Sequence, residues 1–182
     1  MTIAGQVPRI LIIDDEAASV AELRTILTGM GDILSAQNGK AGIAAVREQS
    51  PDLVLLDTEM PDIDGFDVCA RLKADPATAD IPIIFVTLQR GVEHETQALD
   101  LGAVDFILKP VNPAVLRVRV RTHLTLKFQN DVLRERASTD HLTGLPNRRS
   151  FDIAVEQEWR RARRSKEPLA LALIDICSDP IT

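Results

Sequence analysis

Acidic side chains occur at two places where a short apolar run stops. Asp14 and Asp15 follow the run 9–13, and Asp57 follows the run 53–56. A single Asp after a strand is more often a helix cap or a loop residue than a catalyst. If these three carboxylates meet, however, they repel one another and need a hard cation, and oxygen ligands with open positions suit Mg²⁺.

Two later apolar runs also end in polar residues, Thr87 and Lys109. With Mg²⁺ bound, one carboxylate can attack a phosphoryl group while the metal, a lysine and a hydroxyl stabilise its equatorial oxygens. We therefore expect Asp57 to be the nucleophile and Asp14 and Asp15 to hold the metal. Lys109 and Thr87 are expected to bind phosphoryl oxygens, and an acyl phosphate is the expected product.

These residues need a scaffold, and the first 110 residues predict one by alternating apolar runs with amphipathic stretches. The expected strands are 9–13, 33–36, 53–56, 83–86 and 104–107, and the expected helices are roughly 17–28, 40–49, 65–74, 92–101 and 113 onward. Near-continuous apolar runs are typical of strands covered on both faces. Right-handed crossovers then give an α/β fold with a doubly wound, five-stranded parallel sheet, whose sites lie at the carboxyl ends of the strands.

Composition argues against several classes of protein. Apolar residues make up 45% of the chain and aromatic residues only 3%, so the sheet lacks the aromatic platform of a nucleic-acid reader. No apolar run approaches the roughly 18 residues of a membrane helix, and the N-terminus does not resemble a secretory signal. We expect a soluble, cytoplasmic protein with no membrane partner. Cys69 and Cys177 lie far apart and are expected to be incidental reduced thiols.

Charge divides the chain near Pro110. Residues 1–110 hold 8 basic and 18 acidic side chains, a balance of −10, whereas residues 111–182 hold 13 basic and 9 acidic ones, a balance of +4. The basic half could indicate nucleic-acid binding. Solvated faces of charged helices are the favoured interpretation, because no recognised DNA-binding pattern accompanies the charge.

From residue 8 to about residue 123 the sequence resembles the receiver domain of two-component response regulators. The resemblance rests on Asp14-Asp15, Asp57 followed by Met60-Pro61 and Asp64-Gly65, and then Thr87, Phe106 and Lys109-Pro110. It implies a flavodoxin-like sheet of order 2-1-3-4-5 and phosphoryl transfer from a histidine kinase or phosphotransfer protein. It also implies that Mg²⁺ is held by Asp15, Asp57 and the backbone carbonyl of Glu59, with Asp14 assisting.

The same resemblance implies three local features. The Lys109–Pro110 bond is expected to be cis, and Phe106 is expected to swing inward when Thr87 moves toward the phosphoryl group, although Phe106 could equally be ordinary core. Leu88 departs from the family, which usually has a small residue there. Its bulk is expected to crowd the route to Asp57 and to slow the phosphoryl chemistry.

Residues 112–138 predict one long helix that continues the fifth helix of the receiver. They contain no Gly, and Pro113 stands in the first turn, where it is tolerated. Residues Leu116, Val120, Leu124 and Phe128 repeat at i, i+4. A coiled-coil dimer and a helix packed on the receiver remain equally consistent with this imperfect heptad.

The run Asp140–Arg149, with Leu-Thr-Gly-Leu-Pro-Asn-Arg inside it, resembles the opening of a GGDEF domain, the diguanylate cyclase fold. A strand is expected over 169–176. In that family the strand leads into a metal-binding acidic pair, where Asp175 matches the first position and Cys177 stands at the second. The GGDEF hairpin is absent, so we expect an incomplete α+β fragment, a chain that makes no cyclic di-GMP, and a parent protein that is a diguanylate cyclase.

Together these interpretations predict a receiver at 1–111, a helical linker at 112–138 and the N-terminal part of a GGDEF domain at 139–182. Phosphorylation is expected to promote a homodimer through a face carrying Asp100, Asp105, Arg117 and Arg121. Two other functions compete with this one. The chain could be an enzyme in its own right, which the absent hairpin disfavours, or a stand-alone adaptor or DNA-associated regulator.

Overall fold

The computed structural model describes residues 7–88 and 92–138, together with scattered residues between 145 and 172. Its first part alternates strands and helices, as expected, with boundaries within two residues of the predicted ones. The elements are β1 (Arg9–Ile13), α1 (Ala17–Ile26), β2 (Asp32–Ala36), α2 (Gly39–Gln49), β3 (Leu53–Leu56), α3 (Gly65–Ala74), β4 (Ile83–Thr87), α4 (Val92–Asp100), β5 (Asp105–Leu108) and α5 (Pro113–Ser138).

The strands form one parallel five-stranded sheet of order β2-β1-β3-β4-β5. This confirms the predicted α/β class and strand order. Ile13 pairs with Leu56 and Leu56 pairs with Phe85, so the carboxyl ends of the three central strands are level. Residues that follow β1 and β3 therefore leave the sheet at the same edge.

Side chains alternate between two buried clusters, one on each face of the sheet. The first cluster includes Ile10, Ile12, Leu55, Ile84 and Val86 from the strands, with residues of α1 and α5. The second includes Leu11, Ile13, Val54, Leu56 and Phe85, with residues of α2, α3 and α4. Because both faces are covered, the central strands read as continuous apolar runs.

Helix α5 covers 26 residues, in agreement with the predicted long helix. Its stripe Leu116, Val120, Leu124 and Phe128 is buried in the first cluster, so this part of the helix packs on the receiver sheet. The chain divides into two compact units, Met1–Asp131 and Val132–Thr182. None of the described helices, α5 included, combines the length and the apolarity that crossing a membrane requires.

The second unit is described only in part. Asn147 caps a helical turn, because its side-chain oxygen accepts from the backbone nitrogen of Ser150 at 3.1 Å. Asp140, Asp175 and Cys177 lie outside the described residues. Most of the expected strand 169–176 does too, and the described residues 170–172 are not in a strand.

Candidate functional site

Two carboxylates and a lysine meet at the carboxyl edge of the sheet. Asp14 follows β1, Asp57 follows β3 and Lys109 follows β5. The Lys109 Nζ lies 2.8 Å from Asp14 Oδ2 and 2.6 Å from Asp57 Oδ2. All three side chains are at most 11% exposed, so the ammonium bridges two buried carboxylates that would otherwise repel each other.

The carboxylate of Asp14 is held by further bonds. Its Oδ2 also accepts from the hydroxyl of Ser19 at 2.6 Å, and its Oδ1 accepts from the backbone nitrogen of Glu16 at 2.9 Å. Sequence reasoning missed Ser19. The available signal was its spacing, because Ser19 shares the buried face of α1 with Leu23 and Ile26.

A cavity of about 500 Å³ opens beside Asp57. Asp15, Glu59, Leu88 and Lys109 border it together with Asp57. Asp15 is exposed, whereas Asp57 is buried. The cavity therefore offers an approach from solvent to a buried carboxylate.

The oxygen atoms around this cavity fit a hydrated Mg²⁺. Mg²⁺ in proteins is typically bound by one or two carboxylates and keeps several waters. Asp15 and Asp57 supply two carboxylates, and the main chain of Glu59 is close, since its nitrogen lies 3.4 Å from Asp57 Oδ1. No group of three or more His, Cys, Asp or Glu placed to hold a metal occurs among the described residues, so main chain and water would have to complete the coordination.

Burial and the neighbouring charges both shift the pKa values of Asp57 and Lys109. Burial raises the pKa of Asp57, and the charge of Asp14 adds to this, while the hydrogen bond and charge of Lys109 lower it; the net change is upward. Burial alone lowers the pKa of Lys109, but its bonds to Asp14 and Asp57 outweigh that effect and raise it. Lys109 therefore remains a cation beside the carboxylates.

Thr87 ends β4 and is fully buried. Its hydroxyl is hydrogen-bonded to the hydroxyl of Thr58, with 2.5 Å between the two oxygens. Thr58 borders the cavity, whereas Thr87 does not. The structure thus brings Thr87 to the predicted edge of the sheet but directs its hydroxyl to a neighbour that sequence reasoning missed.

Phe106 lies in β5 and is 8% exposed. Its ring centroid is 6.4 Å from that of Phe85, which in turn is 5.1 Å from that of Phe66. Phe106 therefore belongs to the core in this structure, and its predicted swing stays a prediction.

Two further expectations concern the Lys109–Pro110 bond and Leu88, which lie next to the site. The Lys109–Pro110 bond is cis, as expected, and the Lys109 backbone nitrogen donates to the Thr87 carbonyl at 2.8 Å. Leu88 is 64% exposed and borders the cavity. Its side chain is thus placed beside the route to Asp57, while its effect on rates stays a prediction.

The predicted dimer face stays a prediction, and the structure shows which neighbours its residues contact within one chain. The Nη1 of Arg117 donates to the carbonyl of Ile26 in α1 at 2.6 Å. Asp105 is ion-paired with Arg119 and lies 3.3 Å from His123 Nε2. Residues two apart on a helix point about 200° apart, so Arg117 and Arg119 face different neighbours.

Sequence reasoning missed Arg119 and His123. Their i, i+4 spacing on α5 was the available signal, because it places both side chains on one helix face. Asp100 and Arg121, the remaining residues of the predicted face, are exposed.

Comparison with known proteins agrees with this geometry. Residues 10–121 match the response regulator receiver domain family, and residues 137–178 match the family described as diguanylate cyclase, GGDEF domain. The chain is 38% identical over 138 residues to the response regulator PleD of Caulobacter vibrioides, covering 75% of this chain and 30% of that protein. It is 37% identical over 149 residues to a probable cyclic di-GMP phosphodiesterase of Vibrio cholerae, covering 82% and 33%.

The fold has a matching solved structure in the signal receiver domain of a LuxO repressor protein of Vibrio parahaemolyticus. The TM-score is 0.64 with 28% identity, over 70% of this chain and 98% of that one. This chain spans about a third of the length of the two curated relatives. The family match covers more than half of the 182 residues. The chain therefore belongs to the response regulator receiver family of two-component systems, and its receiver domain is followed by residues that match the GGDEF family.

Proposed function

We propose that this chain accepts a phosphoryl group on Asp57 and passes the signal through α5 to a GGDEF-type output. One observation carries the proposal. Asp57 is a buried carboxylate paired with Lys109 at the edge of an open cavity, with Asp15 and Glu59 beside it. A buried carboxylate can act as the nucleophile, and a cation beside it can stabilise the negative charge of a phosphoryl group during transfer.

In the proposed reaction an Oδ of ionised Asp57 attacks the phosphorus of a phosphohistidine on a histidine kinase or phosphotransfer protein. A P–O bond forms, the P–N bond breaks, and the imidazole nitrogen leaves with the electron pair. Lys109 donates to a phosphoryl oxygen, and Asp14 holds Lys109 in place through its Oδ2. Asp15, Asp57 and the backbone carbonyl of Glu59 would hold Mg²⁺, which would supply charge neutralisation at the phosphoryl oxygens.

Labelling with acetyl phosphate tests this proposal. Asp57→Asn should abolish Mg²⁺-dependent labelling, because the amide is not a nucleophile of comparable strength. Asp67→Asn is the matched control, since Asp67 is exposed on α3 and does not border the cavity. If Asp57→Asn were still labelled to the full extent, with the phosphoryl group on another residue, the assignment of Asp57 as the phosphoryl acceptor would be contradicted.

The output step belongs to the same proposal. Phosphorylated receivers would pair through α4, β5 and α5, which brings two copies of α5 together and, in a longer protein, two cyclase domains. The match of residues 137–178 to the GGDEF family and the likeness to PleD support this arrangement. We propose domain limits of 1–111 for the receiver, 112–138 for the linker and 139–182 for the GGDEF part.

A further inference from the structure

Two buried threonines meet directly behind the site. Thr58 follows the phosphoacceptor Asp57, and Thr87 ends the neighbouring strand β4. They are 1% and 0% exposed, and their hydroxyl oxygens are 2.5 Å apart. A buried hydroxyl that loses its partner costs more free energy than an exposed one, because water reaches it less readily.

The two threonines differ in what else they can reach. Thr58 borders the cavity beside Asp57, and Thr87 does not. The hydroxyl of Thr87 must therefore change its orientation before it donates to a group attached to Asp57. Either hydroxyl can be the donor in the bond between the two threonines. Where Thr87 donates to Thr58, that change breaks the bond, and the Thr58 hydroxyl can then turn toward water in the cavity.

We propose that Thr58 is a positioning residue that acts through Thr87. It holds the Thr87 hydroxyl in its resting orientation and so sets how readily the receiver takes up the phosphorylated conformation. This inference rests on the proposed function, because it assumes that Thr87 binds the phosphoryl group on Asp57.

The test uses beryllofluoride, a mimic of the bound phosphoryl group, and the full chain with Mg²⁺. Thr58→Val removes the hydroxyl with little change of shape, which destabilises the resting state. A net hydrogen bond of typical strength corresponds to a gain in beryllofluoride affinity of roughly 2- to 12-fold. Thr58→Ser keeps a hydroxyl and should bring the affinity back to that of the wild type.

A second readout separates positioning from plain stability. In the absence of beryllofluoride, the amide NMR signal of Phe106 in Thr58→Val should lie between the free and the beryllofluoride-bound wild-type positions. Thr78→Val is the control, because the Thr78 hydroxyl is also buried but donates to the Leu72 carbonyl at 2.7 Å. It should lower the melting temperature and leave both the affinity and the Phe106 signal unchanged.

The outcomes distinguish this inference from the proposed function. Equal or weaker beryllofluoride binding by a folded Thr58→Val, with the Phe106 signal unmoved, would overturn the inference alone. If Thr58→Val does not fold, Thr58→Ala carries the same expectation and the same refutation. A wild-type chain that does not bind beryllofluoride at all would overturn the proposed function, and this inference with it.

Discussion

At the scale of single residues, Asp57 is a carboxylate at a position where the folded protein disfavours its charge. Asp57 is buried close to Asp14, and both conditions raise its pKa. Lys109 opposes them by bonding to both carboxylates. We therefore expect the charged form of Asp57 to serve phosphoryl transfer and to lower the stability of the folded protein.

Replacing Asp57 should therefore stabilise the fold at neutral pH. Since its pKa in the folded state lies above the ordinary value of 3.8, the folded protein binds this proton more tightly than the unfolded chain does. Stability is then lost as pH rises through the folded pKa. Asp57→Asn should raise the free energy of unfolding by ~0.5–2 kcal/mol at neutral pH.

Denaturant titrations at pH 7 and in acid check this expectation. The difference between variant and wild type should shrink as the pH falls toward the ordinary value of 3.8, where wild-type Asp57 becomes protonated. A less stable Asp57→Asn at pH 7 would show that the ion pair with Lys109 outweighs burial.

Leu88 is expected to slow both gain and loss of the phosphoryl group. Its exposed side chain borders the cavity beside Asp57, through which small phosphodonors and a hydrolytic water would both have to approach in the proposed reaction. Leu88→Ala should accelerate acetyl-phosphate labelling and the decay of the label several-fold in the same direction. Leu126→Ala, at an exposed position on α5, is the control, and unaltered rates in Leu88→Ala would show that the side chain does not obstruct the route.

At the scale of elements, α5 contacts the receiver through an apolar stripe and through polar side chains that include Arg117 and Arg119. Leu116, Val120, Leu124 and Phe128 enter the cluster shared with α1 and the sheet. Arg117 adds a bond to the last carbonyl of α1. A movement at the edge of the sheet can therefore be transmitted along this part of α5, because no flexible joint interrupts it.

Two leucines on α5 test which side of the helix packs on the receiver. Leu124 is 0% exposed and Leu126 is 49% exposed. Leu124→Ala should cost about 2–5 kcal/mol of unfolding free energy because it leaves a cavity against the sheet. Leu126→Ala should change it by less than about 0.5 kcal/mol, and similar losses in the two variants would contradict the observed packing of α5.

At the scale of the whole molecule, phosphorylation adds about −1.5 to −2 charges at one buried point. We expect this charge to draw Thr87 and Lys109 inward and to alter the surface of α4, β5 and α5. A symmetric dimer requires that the same patch be complementary to itself. On that surface Asp100 is exposed, and Asp105 is paired with Arg119 within its own chain.

Sedimentation with and without beryllofluoride measures this response. The wild type should shift toward a dimer, Asp57→Asn should not, and Asp100→Arg should weaken the shift. Arg117→Glu is unsuitable as a test of this face, because Arg117 is bonded to α1. An unchanged mass over a wide concentration range, with the mimic shown to be bound, would refute dimerisation and leave phosphoryl acceptance intact.

The sequence by itself determined the sheet and the residues at its edge. Buried parallel strands need apolar residues on both faces, so the central strands could be read as uninterrupted runs. Parallel strands end at the same edge, and that rule alone predicts that the residues after β1, β3 and β5 approach one another. Asp14, Asp57 and Lys109 meet as that rule requires.

Only the tertiary structure decided how side chains on different elements are oriented toward each other. Ser19 reaches Asp14 because α1 turns that face to the sheet, and Thr58 reaches Thr87 because β3 and β4 are aligned side by side. The rotation of α5 directs Arg117 to α1 and Arg119 to Asp105 of β5. A spacing along one helix shows which residues share a face, but the neighbour that this face meets depends on how the helix packs on the rest of the fold.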